Sequence, residues 1–371
     1  MTIREQIRQL ASRPDSHGPF LTLYIDTNRG DGTRNDRIRL MMKKELQTVR
    51  DALGFNGQQE MVENGISRIE GWLSEQLRPE TRGVVIFADP SDEFFVPIEL
   101  NVPVKPQLHI GSHPHLRQLT HLHEHHPHLL LAMVDGKSAR LLEIEFGTVT
   151  AEQSIEDPDV PSKTDQGGWS QANIQRHIQD HKNHHHKDVA ERLTKLFDQH
   201  GGIDVVVSGQ ERNSANFSGY LPKRIDERIV GTLHLDMAAS QEEAITASEQ
   251  LVHQVRGSSV DQKLDELEAA AKKNGRGAMG LSRVIEAVNQ KKLDGLLLSN
   301  VASGRGWKCT SCRTIGETVP LGCPACGSDV RTVDLVEQFI AAAHQEKASI
   351  EFVPEQTILD RYSGVGAFLR F

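Results

Sequence analysis

The chain of 371 residues is long enough for two or three domains, and 37% hydrophobic with 25% charged residues is an ordinary globular composition. Lys and Arg total 42 against 51 Asp and Glu, a formal charge of -9, which excludes a uniformly basic coat for duplex DNA and confines nucleic-acid contact to local patches. No apolar stretch reaches the roughly 18 residues of a membrane span, and the charged start MTIREQIRQL lacks a secretory apolar region, so a cytoplasmic protein without a membrane partner is expected.

Residues 1–127 read as a first α/β domain. An amphipathic start leads into the apolar run Phe20 to Ile25, a polar loop Asp26 to Arg34 and a helical pattern from Asp36 to Leu53. A helix over Gln59 to Gln76 precedes a strand at Gly83 to Ala88, and Phe94 to Val104 alternates around Pro97 and Pro103 in the manner of an edge strand. A second domain, 128–239, opens with a hairpin, Leu129 to Asp135 and Ser138 to Phe146. The polar, turn-rich stretch Asp157 to Gln171 then leads to a helix over Ala172 to His200, a strand at Ile203 to Ser208 and a helical stretch from Arg212 to Ile229. Strands alternating with helices predict a mostly parallel sheet there.

The third domain, 240–371, begins with helices over Gln241 to Gln254 and Lys263 to Lys273. A helix at Leu281 to Gln290, a strand at Leu293 to Ser299, a helix at Val333 to Lys347 and a strand at Ile350 to Val353 follow. Gly275-Arg-Gly277-Ala-Met-Gly280 matches G-x-G-x-x-G, but a helix precedes it where a dinucleotide site needs a strand, so it reads as a helix stop and restart.

All four cysteines fall in one window, Cys309, Cys312, Cys323 and Cys326, two C-x-x-C pairs with ten residues between them. Two such turns let four thiolates converge on one ion, which predicts a structural zinc ribbon at about 305–331 with no open coordination position. A redox dithiol or a pair of disulfides is the alternative. The insertion is too small to hold a core by itself, so the ion is expected to staple it.

Two further features stand out. The loop Asp165-Gln-Gly-Gly-Trp-Ser-Gln171 combines two glycines, which free the backbone, with an aromatic side chain at Trp169, alternatively folded back on its own domain. Five histidines lie between His177 and His186, and His177, His181 and His185 share one helix face. Without a carboxylate at H-E-x-x-H spacing, that face reads as solvated or RNA-facing rather than as a metal site. No nucleophile elbow and no recognisable acid and base pair occurs, so no catalytic residue is assigned.

Gly167-Gly168-Trp169-Ser170, followed by Ala172 and Arg176, resembles the G-G-Q-S segment of the archaeo-eukaryotic class-1 release factors. Gly280 to Asn289 with Lys292 to Asn300 resembles the corresponding segment of those factors and of Pelota. The ending Gly366 to Phe371 resembles their C-terminal strand, and the cysteine window stands where archaeal members carry a C-x-x-C minidomain. The resemblance covers residues 129–371, and Leu21 to Asp26 makes the first domain look more like bacterial members of the superfamily.

The resemblance implies three small α/β domains in a tRNA-like arrangement, with a zinc-ribbon insertion in the third. By it, the first domain enters the decoding centre, the second reaches the peptidyl-transferase centre, and the third, kink-turn-binding-like, meets elongation factor Tu or a similar translational GTPase. The implied partner is the ribosomal A site with rRNA of both subunits, and no DNA. The implied rRNA contacts are Gly167, Gly168, Trp169, Ser170 and Gln171 at the peptidyl-transferase centre, and the helix face of Arg176, His177, His181 and His185. Asn28, Arg29 and Arg34 are the implied decoding-centre contacts.

Release in that family relies on the Gln of the triplet. Trp169 stands there, and an indole has one N–H donor and no acceptor oxygen. Loss of that chemistry with retention of the shape resembles bacterial ribosome hibernation factors, and this resemblance makes a non-enzymatic factor that fills the A site of idle ribosomes the first expectation. A release or rescue factor hydrolysing peptidyl-tRNA, and an adaptor binding another RNA, are the alternatives.

Overall fold

The computed structural model describes residues 3–27, 59–79, 81–157, 171–200, 203–209, 217–258, 260–272 and 275–371. It is an α/β protein as expected, and its chain divides into two compact units, Met1–Glu124 with Val260–Phe371, and His125–Ser259.

The first unit starts with α1 (Ile3–Ser12), β1 (Phe20–Asp26), α2 (Gln59–Glu75), β2 (Gly83–Asp89), β3 (Phe94–Leu100), β4 (Gln107–Gly111) and α3 (Arg117–His125). The strands form one antiparallel sheet in the order β3-β2-β1-β4. Pro97 lies on β3, an edge strand, where a missing N–H is tolerated. Alternation sends Leu21, Leu23 and Ile25 of β1 and Val84, Ile86 and Ala88 of β2 to one face. There they meet Val62, Ile66, Ile69 and Leu73, which share one side of α2 at helical spacing. On the opposite face the Tyr24 hydroxyl donates to His115 O at 2.8 Å and accepts from Leu119 N at 3.3 Å, which holds the entry to α3. The predicted helix over Asp36 to Leu53 lies outside the described residues.

The second unit contains β5 (Leu129–Val134), β6 (Ser138–Glu145), β7 (Thr148–Glu156), α4 (Gln171–His200), β8 (Asp204–Ser208), α5 (Lys223–Asp226), β9 (Ile229–Leu233) and α6 (Gln241–Ser258). Its sheet runs β7-β6-β5-β8-β9 and is mixed, because β5, β8 and β9 are parallel while β5, β6 and β7 form an antiparallel meander. Every residue of the central β5 is buried, as a strand covered on both faces requires. Val189, Leu193, Leu196 and Phe197 of α4 cover one face, and Ala244 and Val252 of α6 the other. That packing carries α6 into this unit, so the unit ends at 259 rather than 239. Among its described residues, the helical stretch predicted from Arg212 to Ile229 is helical at Phe217 and Ser218 and in the short α5, with a turn before Pro222 between them, and its last residue, Ile229, opens β9, which pairs in parallel with β8.

The chain returns to the first unit with α7 (Val260–Lys272), β10 (Gly277–Met279), α8 (Leu281–Asn289), β11 (Leu293–Ser299), β12 (Arg305–Cys309), β13 (Ile315–Gly316), β14 (Val330–Asp334), α9 (Leu335–Glu346), β15 (Ser349–Val353) and β16 (Val365–Leu369). A four-stranded sheet in the order β10-β16-β11-β15 carries helices, and the small sheet β13-β12-β14 forms the cysteine insertion. The glycine-rich stretch after α7 is therefore an edge strand. Gly277 is needed there because a Cβ would lie 2.7 Å from Ala271 N. The last long helix begins at Leu335, two residues later than predicted, because β14 closes the insertion and Asp334 caps the helix by accepting from Val336 N at 2.8 Å.

The two parts of the first unit are joined at α3 and α9. Glu337 of α9 accepts from Leu116 N at 2.7 Å and Arg117 N at 3.0 Å, so a carboxyl group from α9 caps the start of α3. Arg117 returns two hydrogen bonds, to Ala302 O and Asn300 O.

Candidate functional site

The four cysteines come together in the small sheet, and none is in a disulfide. Cys309 Sγ lies 3.5 Å from Cys326 Sγ, and Cys312 Sγ 3.5 Å from Cys323 Sγ. A tetrahedral zinc with bonds of about 2.3 Å spaces its sulfurs about 3.8 Å apart, so the four positions fit such an ion.

The two halves repeat one backbone design. Cys309 N donates to Thr314 O and Cys323 N to Ser328 O, both at 2.8 Å. The residue after each pair is left-handed, Arg313 with φ 64° and Gly327 with φ 75°. Thr314 Oγ1 then lies 3.1 Å from Cys312 Sγ, and Ser328 Oγ 3.4 Å from Cys326 Sγ. The Ser328 hydroxyl lowers the Cys326 thiol to about 6, and the Thr314 hydroxyl lowers Cys312, both favouring thiolate. The matching triplets Cys312-Arg-Thr314 and Cys326-Gly-Ser328 are the sequence signal for these hydroxyls, and the pair spacing alone did not use it.

Four thiolates would fill the coordination of a tetrahedral ion and leave no position for water or substrate. Trp307, Cys309, Cys323 and Val330 form its small core. Trp307 lies flat on β13, where a Cβ on Gly316 would come within 2.5 Å of the indole nitrogen. Lys308 and Arg331 both pair with Asp15 from the start of the chain, Lys308 at 3.0 Å, which ties the insertion to the segment after α1.

Other predicted residues distribute unevenly. Gly167, Gly168, Trp169 and Ser170, together with Asn28, Arg29 and Arg34, lie outside the described residues, as do the side chains of Gln171 and His177. The helix that follows the loop starts at Gln171. Arg176 is exposed and His181 half-buried, but His185 is only 2% exposed, so it cannot belong to a solvated or RNA-facing surface. The reason is the sheet beneath: at His185 and His186 the helix reaches the apolar face that continues through Val189 and Leu193, and the His186 ring meets Phe217 and Tyr220 edge-on.

The other histidine-rich stretch, His121 to His128, is largely helical as the end of α3. In the second unit His126 Nδ1 lies 3.0 Å from Glu249 Oε1, and the rings of His125 and His253 are 4.1 Å apart. Among the described residues no helix is long and apolar enough to cross a membrane.

Residues 114–253 match the model of bacterial archaeo-eukaryotic release factor family 10, and over that segment the resemblance to the release-factor superfamily is borne out. The chain is also similar to solved structures at low identity. An archaeal translation termination factor, aRF1, is 16% identical over 99% of this chain and 98% of that one, with a TM-score of 0.28. Pelota from Archaeoglobus fulgidus is 15% identical over 78% of this chain and 79% of that one, with a TM-score of 0.32. An archaeal Pelota from a ribosome-bound model with ABCE1 is 13% identical over 99% and 94%, with a TM-score of 0.42. No curated protein matches the chain.

Proposed function

We propose that this protein is a ribosome hibernation factor of the Balon type, which fills the A site of idle bacterial ribosomes and shields the decoding and peptidyl-transferase centres without releasing peptide. One observation carries the reading. The segment that matches the release-factor family contains Gly167-Gly168-Trp169-Ser170, with Trp169 where hydrolytic members present Gln.

The chemistry follows from the side chain. An amide offers a donor and an acceptor with which to orient an attacking water, whereas an indole offers one donor and a flat apolar face. Two preceding glycines let the backbone come close to RNA, and the indole is suited to stack on a base. On this reading rRNA of both subunits is the contacted surface, elongation factor Tu or a similar GTPase is the delivery partner through the C-terminal segment, and the zinc centre is structural. The formal charge of -9 leaves binding to shape and to local Lys and Arg side chains rather than to a basic coat.

The deciding experiment sediments purified protein with vacant and with peptidyl-tRNA-loaded ribosomes and assays peptide release in the same tubes. Binding without release is the expected result. Release from loaded ribosomes would instead make it a release or rescue factor, and failure to bind either population would leave an adaptor for another RNA.

A further inference from the structure

We propose that His128, Glu143 and His200 form a second metal site, independent of the cysteine centre and built for a divalent ion of the zinc class with one coordination position left open. All three residues belong to the second unit and come from different elements. His128 stands just before β5, in the same alternation as Leu130, Ala132 and Val134. Glu143 continues the inward face of Ala139 and Leu141 on β6. His200 ends α4, following Leu193, Leu196 and Phe197 at helical spacing. Each therefore extends the same apolar face by one step, and the three meet at its rim.

The geometry is that of a ligand set. His128 Nε2 lies 2.7 Å from Glu143 Oε1, and His200 Nε2 lies 3.2 Å from Glu143 Oε2. One ligand atom from each residue lies within 4.8 Å of the others, and the two rings stand 4.9 Å apart at 75°. Tetrahedral bonds of about 2.0–2.1 Å place neighbouring ligand atoms about 3.3–3.4 Å apart, so only small side-chain adjustments admit an ion. Two imidazole nitrogens and a carboxylate oxygen are a donor set for zinc, cobalt or nickel, and unsuited to an ion that demands all-oxygen coordination.

Burial strengthens the case. The side chains of His128, Glu143 and His200 are 10%, 11% and 18% exposed, and Glu143 sits between the buried Leu142 and Ile144 on β6. A carboxylate there is costly without compensation. Two imidazole nitrogens within hydrogen-bond reach can satisfy lone pairs of the carboxyl group, whereas a dication would engage all three groups at once. The signal was absent from the notable histidine spacings of the sequence, because the three ligands are separated by a strand pairing and a long helix.

The test uses the full chain with its cysteine centre loaded with zinc, titrated with Co2+ and followed by absorption and by metal analysis after desalting. The expected result is one further bound equivalent whose visible bands lack thiolate charge transfer. That equivalent is lost in Glu143→Gln and in His200→Asn, while the ribbon zinc is retained in both. His200→Asn, at a helix terminus, decides the matter if Glu143→Gln fails to fold. A wild-type chain that takes up no cobalt beyond the thiolate centre, or variants that bind it equally, would overturn the proposal and leave a hydrogen-bonded cluster that only anchors the end of α4.

Discussion

On the proposed reading, Trp169 replaces the Gln of the triplet of the release factors that the segment resembles, and the consequence of that exchange is measurable at one side chain. Stacking of an aromatic ring on a base is worth about 1–3 kcal/mol, so Trp169→Ala is expected to weaken ribosome binding by roughly 5- to 150-fold while peptide release stays at background. Unchanged affinity in co-sedimentation would remove stacking from the account. At Arg313 the residue type and the backbone disagree. Its φ of 64° matches that of Gly327 in the other cysteine turn, but a left-handed residue with a Cβ carries about 1–2 kcal/mol of steric cost. Glycine relieves that cost and adds unfolded-state entropy of about 0.4–1 kcal/mol. Arg313→Gly is therefore expected to raise stability by about 0.5–1 kcal/mol, read from the denaturant midpoint of metal-loaded protein. A lower midpoint would mean that the guanidinium makes contacts worth more than the strain.

At the scale of elements, the cysteine insertion has three short strands and a core of four residues, which is too little buried surface to fold unaided. Replacing Cys309 and Cys312 by Ser should therefore release about one metal ion per chain and expose residues 305–331 to limited proteolysis, with β10, β11 and β16 still protected. Retention of stoichiometric metal at that centre would falsify the four-thiolate assignment. The insertion was legible in the sequence because its information is local: two pairs on two turns at a fixed spacing. The buried strands Phe20–Asp26 and Leu129–Val134 were legible for the same reason, as short apolar runs. By contrast, α3 was hidden because its three histidines, His121, His123 and His125, carry no apolar period, although Leu119 lies fully buried inside it. His185 was read as part of a solvated or RNA-facing surface because helical spacing says which residues share a face and not what that face meets. The cap that Glu337 supplies to α3 could not be read at all, since its partners lie more than two hundred residues away in the chain.

At the scale of the whole molecule, the join around α3 and α9 sets how stability varies with pH. Burial pushes the pKa of His113 down to about 4, that of His115 to about 2 and that of His344 to about 3, so all three are neutral in the folded chain at pH 7. Unfolded, each binds a proton near 6.5. Their contribution is thus complete above that pH and is lost as pH falls towards the folded values. Glu337 acts in the opposite sense: burial raises it to about 8 from 4.5 despite the two amide donors, so its contribution is complete below 4.5 and is lost as pH rises to 8. Between 4.5 and 6.5 the three histidines outweigh the one carboxyl, which gives a loss of up to roughly 2–3 kcal/mol per pH unit on acidification. Above 6.5 only Glu337 of these four groups titrates, at up to about 1.4 kcal/mol per unit. Stability is therefore expected to peak near pH 6.5, with a steep acid limb and a shallow alkaline one, in urea midpoints taken from about pH 4.5 to 8.5. Glu337→Gln, which cannot ionise, should flatten the alkaline limb and leave the acid limb in place. A wild-type midpoint that climbs steadily from pH 6.5 to 8 would show that Glu337 is already a carboxylate when folded, held so by Leu116 N and Arg117 N against its burial.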